Sequence, residues 1–248
     1  MVRRVGSPRD PVYRLLSALL LLITASCGGG GSDGGGTSYA FVAPVVSSKR
    51  AYAETILDNA HNTINLSYTE TVTAVNPDGS YTVLQEDPNH ESVIVNNTNY
   101  SIVTGTVAVN NSGQETGYTY ADSNDATVSC TFTPHGAGPD FPITIGMTWT
   151  LNYSFGCGTQ PPVSYVQSGS VVDVESITVP AGTYRAIKLQ STLTWTDAQG
   201  TTRTETVTNW RDAATSVSVK QSITISYSGT LPTRGYAISE EIVLESMS

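Results

Sequence analysis

Apolar and polar residues alternate with a period of two along much of the chain, and that rhythm predicts strands. Trp149, Leu151, Tyr153 and Phe155 alternate with Thr148, Thr150, Asn152 and Ser154. Ile187, Leu189, Leu193 and Trp195 alternate with Lys188, Gln190, Thr192 and Thr194, with Ser191 a small polar residue on the apolar side. Val217, Val219, Ile223, Ile225 and Tyr227 repeat the pattern, broken only by Gln221. One apolar face and one Ser/Thr-rich face per segment is the signature of antiparallel strands covering a core on one side.

Turn chemistry separates these segments. Asn76-Pro77-Asp78-Gly79 divides Thr71–Val75 from Tyr81–Leu84, with Pro presetting φ and Gly free to take a positive φ. Asp197-Ala198-Gln199-Gly200 and Pro180-Ala181-Gly182 act in the same way, and His135–Pro142 reads as a loop. Residues 48–60 fit a short helix or a strand with Tyr52 and Ile56 on one side, and we favour the strand. The predicted fold is all-β: a single antiparallel curved sheet, half-barrel or sandwich.

The first 26 residues have a different character. Four Arg precede the apolar run Leu15–Ile23, and small residues follow it, as in a secretory signal. The run is shorter than the roughly 20 residues a membrane-spanning helix needs. Thr24-Ala25-Ser26-Cys27 resembles the lipobox of bacterial lipoproteins, with Thr24 standing where that family usually has Leu. The resemblance implies cleavage before Cys27 and acylation of that residue, palmitate included. Gly28, rather than Asp, at the second mature position implies sorting to the outer membrane, with the domain on its periplasmic or surface face. The Gly/Ser-rich stretch from Gly28 to Gly36 reads as a flexible tether. The expected organisation is a signal over 1–26, an anchor and tether over 27–38, and a β-rich extracytoplasmic domain over 39–248.

Composition narrows the function. After Cys27 the chain has eight basic and twenty acidic residues, a net of −12, which argues against nucleic acid as a partner. With Cys27 assigned to lipid, Cys130 and Cys157 remain; in an oxidising compartment they are expected to form a structural disulfide. No Cys-x-x-Cys points to redox or metal chemistry.

Ile177-Thr178-Val179-Pro180-Ala181-Gly182-Thr183-Tyr184 resembles a segment of poorly characterised bacterial envelope proteins that share a Val-Pro-Ala-Gly-Thr-aromatic turn. Ile145–Trp149 fits their upstream Gly-x-x-Trp element, and Trp210–Lys220 matches a downstream element more loosely. The resemblance spans about residues 142–220. It implies a curved antiparallel sheet and brings no catalytic residues.

Candidate chemistry is sparse. The one Gly-x-Ser-x-Gly match, Gly30–Gly34, lies in the glycine tether rather than at the end of a strand, and there is no phosphate-binding loop. His61, His90 and His135 read as loop or turn residues without zinc-ligand spacing, so no metal or cofactor is expected. Asp122–Asp125 could form a weak Ca²⁺ loop but reads better as a surface turn. Glu240 and Glu241 are adjacent on a strand and so point to opposite faces. Asp173 and Glu175 share a face and read as solvated charges.

The expectation is a non-enzymatic, membrane-anchored envelope lipoprotein, a structural or interaction module with a lipid or protein partner. The alternative is a periplasmic carrier whose apolar face (Trp149, Tyr153, Phe155, Leu189, Trp195) holds a lipid or another apolar ligand. An extracytoplasmic hydrolase ranks third.

Overall fold

Every regular element among the described residues is a strand. The computed structural model describes residues 37–89, 92–95, 98–121, 126–231 and 235–248. The signal, Cys27, the glycine tether, His90 and the Asp122–Asp125 loop lie outside the described residues.

The chain opens with β1 (Ser38–Tyr39), β2 (Lys49–Asp58), β3 (Thr63–Val75) and β4 (Tyr81–Glu86). A small hairpin, β5 (Ser92–Val95) and β6 (Thr98–Ser101), precedes β7 (Gly105–Val109), β8 (Glu115–Ala121) and β9 (Thr127–Thr133). Next come β10 (Ile143–Thr144), β11 (Thr148–Cys157), β12 (Val163–Val179) and β13 (Gly182–Thr196). The last three are β14 (Thr201–Asp212), β15 (Ser218–Gly229) and β16 (Ala237–Met247). The segment at residues 48–60 is therefore strand β2.

Twelve of these strands form one closed antiparallel barrel, in the order β2, β3, β4, β7, β8, β9, β11, β12, β13, β14, β15, β16. Each strand pairs with its neighbour along the chain, and β16 then returns to β2, with Ile242 opposite Glu54 and Leu244 opposite Tyr52. This corrects the expected single curved sheet, half-barrel or sandwich. The reason is physical: alternation describes each strand's two faces equally well whether the sheet is open or closed. Closure depends on the first and last long strands meeting, a contact between residues almost 190 positions apart. It leaves the twelve strands with no free edge for another chain to pair with.

The turns form as their residues require. The Gly79 amide donates to the Asn76 carbonyl at 2.9 Å, and Gly79 takes φ +86°, open to glycine at little cost. Gly169 answers a different need. It lies opposite Trp149 across the β11–β12 pair, and the indole lies where a side chain at 169 would stand.

A twelve-stranded barrel encloses more space than the eight strands that side chains just fill, and here large side chains occupy it. Tyr52, Tyr68, Tyr81, Tyr118, Phe155 and Tyr165 are almost inaccessible, as is Arg50. Aromatic rings line the inner wall in a continuous series. Trp195 lies 5.1 Å from Tyr165, Tyr165 stacks on Tyr153 at 5.0 Å, and Phe132 lies 4.4 Å from Phe155. Cross-strand aromatic pairs of this kind fix register as well as filling volume.

The outer wall is polar. One cross-strand row reads Thr150, Ser168, Thr192, Thr206, Thr224 and Ser239 from β11 to β16. A lipid-spanning barrel has the opposite arrangement, with an apolar outer band; this part of the wall is built for water.

Candidate functional site

β14 sets the character of the interior. Its inward residues are Thr201, Arg203, Glu205, Val207, Asn209 and Arg211, and its outward ones include Thr202, Thr204, Thr206 and Thr208. From Thr202 onward the strand thus turns its charges into the barrel and its threonines out.

Arg203 is the centre of the first charged group. Its Nη2 lies 2.5 Å from Glu205 Oε1 and 3.5 Å from Glu240 Oε1, and all three residues are buried. Register places Arg203 between Trp195 and Tyr227, and the guanidinium carbon is 5.0 and 5.8 Å from those ring centres. Burial by itself would lower the Arg203 pKa; Glu205 and Glu240 against it carry it upward. Burial raises the Glu205 carboxyl, opposed by Arg203 and reinforced by Glu240.

A second group lies toward the opposite end of β14. Arg50 Nη1 is 3.7 Å from Glu70 Oε2, both buried. Burial lifts the Glu70 carboxyl to about 8 despite the pull of Arg50. Glu115 is raised well above the usual carboxylate range, first by burial and then by Glu70, with Arg211 opposing. Burial lowers Arg211 to about 10, and its guanidinium carbon lies 5.8 Å from the Phe141 ring centre.

Between the two groups lies a cavity of about 30 Å³ lined by, among others, Trp149, Gln167, Leu189, Ser191, Glu205 and Asn209. The Gln167 Oε1 atom accepts from the Gly138 amide at 2.8 Å and the Trp149 indole at 3.3 Å, while its amide nitrogen donates to Ser191. The loop after β9 is thereby tied over the cavity. Asn209 Nδ2 donates to Ser218 Oγ at 2.7 Å, and its buried Oδ1 has no partner among the described residues. A space of this size, with Gln167, Glu205 and Asn209 on its wall, has room for about one water and is far too small for an acyl chain.

The five residues of the predicted apolar face divide between two neighbourhoods. Tyr153, Phe155 and Trp195 belong to the main aromatic core and are buried. Leu189 is buried in a separate cluster, against which Trp149 packs half-buried. Cys130 and Cys157 are directly opposed on β9 and β11 and joined by a disulfide.

The remaining candidates are dispersed. His61 is exposed in the turn after β2. His135 Nδ1 lies 2.8 Å from the Gly136 carbonyl oxygen, and its Nε2 is 3.7 Å from Asp140. Glu240 faces inward to Arg203 while Glu241 faces outward to Lys220 at 2.7 Å, as adjacent strand residues must. Glu175 accepts from the Trp210 indole at 2.6 Å and meets Lys188 at 3.2 Å. Asp173 instead accepts from the Val174 amide. Among the described residues no three His, Cys, Asp or Glu side chains group as a metal site.

Sequence reasoning missed both buried charged groups, because charged residues are assigned to solvent by default. The available signal was the run of threonines at 202, 204, 206 and 208, which matches the outer-face residues of β13 and β15 and fixes the phase of β14.

No protein-family model matches the chain, and no curated protein matches it in sequence. Three solved structures share a general likeness. One, provisionally described as a lipoprotein of Parabacteroides distasonis, has a TM-score of 0.46 at 13% identity, covering 86% of this chain and 100% of its own. A second, provisionally described as an exported protein of Bacteroides fragilis with a YmcC-like fold, has a TM-score of 0.49 at 10% identity, with coverage of 86% and 100%. The hypothetical lipoprotein YmcC of Escherichia coli has a TM-score of 0.38 at 11% identity, covering 78% of this chain and 85% of its own. Likeness at this level carries no inference about this chain's chemistry.

Proposed function

We propose that this chain is a non-enzymatic envelope lipoprotein, anchored through Cys27 to the outer membrane, whose barrel meets its partners through its outer surface. The observation that carries this reading is the close packing around the predicted apolar face. The cavity bordering Trp149 and Leu189 measures about 30 Å³, whereas small-molecule sites occupy roughly 300–1,000 Å³. The carrier alternative needs an apolar space there, and Tyr153, Phe155 and Trp195 are instead packed against their neighbours. The buried acids and bases are engaged with one another or sealed from solvent, which supports a scaffold role rather than catalysis.

Two measurements test this. Radiolabelled palmitate should enter the exported wild-type chain and be absent from Cys27→Ser; equal labelling of the two would remove the anchor. Native mass spectrometry of Cys27→Ser, secreted to a periplasm, should give the bare protein mass. A lipid-sized adduct lost on denaturation would replace the scaffold reading with the carrier.

A further inference from the structure

The N-terminal segment reaches the barrel at one particular end. β1 pairs with β10, Ser38 opposite Thr144 and Tyr39 opposite Ile143, so the residue before Ser38 emerges beside Ile145. From β1 the chain crosses that end of the barrel. Tyr39 accepts from Arg185 Nη2 at 3.2 Å, Phe41 stacks near Tyr81 at 6.2 Å and meets Phe141 edge-on at 5.6 Å, and Pro44 is buried. The crossing ends where the Ser47 amide donates to the Val72 carbonyl, beside the paired Lys49 and Ser248.

The same end carries most of the exposed apolar side chains. Ile145 is 48% exposed and Val172 40%. They flank one backbone contact, in which the Gly146 amide donates to the Val171 carbonyl at 2.8 Å, and both lie beside the chain's point of entry. Val45, Val46 and Met247 are exposed where the crossing finishes. Of the large exposed apolar residues described, only Val166 and Leu231 lie elsewhere, on the wall of β12 and beyond the far end of β15.

These two facts point to one occupant. The ten residue steps from Cys27 to Thr37 can span at most about 35 Å when extended, so a lipid on Cys27 keeps this end within reach of a bilayer. Apolar side chains at such a position gain by entering the boundary between headgroups and acyl chains. We propose that the barrel stands end-on against the membrane, with Ile145 and Val172 inserted into the lipid interface next to the tether and Val45, Val46 and Met247 continuing the contact. This rests on the lipoprotein reading above and adds an orientation to it. With a net charge of −12 after Cys27, the contact is apolar and favours uncharged headgroups over anionic ones.

The test uses the full lipidated protein in phosphatidylcholine–phosphatidylethanolamine vesicles. An environment-sensitive fluorophore is placed at Ile145→Cys, at Val172→Cys or, on the far end, at Leu231→Cys, and is quenched with brominated acyl chains. These positions are exposed, so the barrel should fold in each variant, which circular dichroism checks. Labels at 145 and 172 should lose fluorescence and the label at 231 should keep it. Equal retention at all three would mean that the barrel hangs free on its tether; quenching at 231 alone would mean that it stands the other way up. Either result overturns the end-on contact while leaving the anchor intact. The anchor itself is read separately, from the acylated mass of Cys27.

Discussion

Strands β13 and β14 lie side by side in register from Ala186 opposite Asp212 to Thr196 opposite Thr202, and their outer faces are nearly interchangeable. Thr192, Thr194 and Thr196 on one face Thr206, Thr204 and Thr202 on the other. Their inner faces differ sharply, except where Ser191 of β13 meets Val207 of β14. β13 contributes Ile187, Leu189, Leu193 and Trp195; β14 contributes Arg203, Glu205, Asn209 and Arg211. Two strands of one wall, equally buried, are thus held by different physics. Transfer of apolar area from water stabilises the first. The second is tolerated because its charges compensate one another. The lesson is that the Thr-rich face, rather than the apolar one, marks which way a strand in this barrel points.

The largest expected effects come from breaking each side of this contrast. Trp195→Ala and Arg203→Ala should each lower unfolding stability by about 3–5 kcal/mol, measured by urea denaturation. Removing the indole leaves a cavity in the aromatic core; removing the guanidinium leaves Glu205 and Glu240 buried without their cation. The two strands part company under wholesale replacement. Exchanging Arg203, Glu205 and Glu240 together for Met, Leu and Leu should recover most of the loss, because no charge is left uncompensated. A triple variant as unstable as Arg203→Ala would show that β14 needs its charges for more than mutual compensation.

The disulfide gives the next effect. It staples β9 to β11 across a separation of 27 residues, and its loss in the Cys130→Ala/Cys157→Ala pair should cost about 3 kcal/mol by loop-closure entropy. An unchanged denaturation midpoint would mean that the neighbouring Phe132 and Phe155 contacts already hold the two strands together.

The acid groups distinguish the halves by pH. The Glu70 carboxyl stands at about 8 in the folded barrel against an ordinary 4.5, so between those values the folded state holds a proton that the unfolded state has released. Stability should therefore fall as pH rises through that window. Burial pushes Glu115 and Glu205 in the same direction. Glu70→Gln should flatten part of the slope, whereas Leu193→Ala, on the apolar strand, should shift the whole curve without changing its shape. A wild-type barrel whose stability increases from pH 5 to 8 would contradict the burial of Glu70 in protonated form.

How much of this could be read in advance follows from the same contrast. Where inward residues are apolar, as in β11, β13 and β15, alternation gives strand and phase together, and it places even Gln221 and Ser191 on the inward side. The Asn76–Gly79 and Asp197–Gly200 turns were legible from their residues, and the glycine amides of both donate back to the first turn residue. Two things were not legible. The pairing of β16 with β2 depends on global curvature, which no local pattern records. The inward set of β14 is polar, as are Arg50 and Glu70, so the usual equation of charge with solvent pointed the wrong way. The candidate apolar face was legible as a set of inward residues, but their division between a packed aromatic core and the lining of a small cavity depends on which neighbours the barrel brings opposite them.

The smallest effect tests the phase of β14 most directly. Thr204 and Glu205 are consecutive, and only the strand's orientation separates their environments. Thr204 lies on the outer wall, its hydroxyl 3.3 Å from that of Thr194 in a half-buried pair; a hydrogen bond between two neutral hydroxyls that water can replace contributes little net energy. Thr204→Ala should change stability by no more than about 0.5 kcal/mol. Glu205→Ala, one residue on, removes the closer carboxylate of Arg203 and should cost several times as much, by the same reasoning that applies to any one member of a compensated buried group. Thr202→Ala and Thr206→Ala should behave like Thr204→Ala, giving a period-two profile of cost along the strand. If the large losses fell on the threonines and the small ones on Arg203 and Glu205, β14 would face the other way, and its charges would belong to the outer surface.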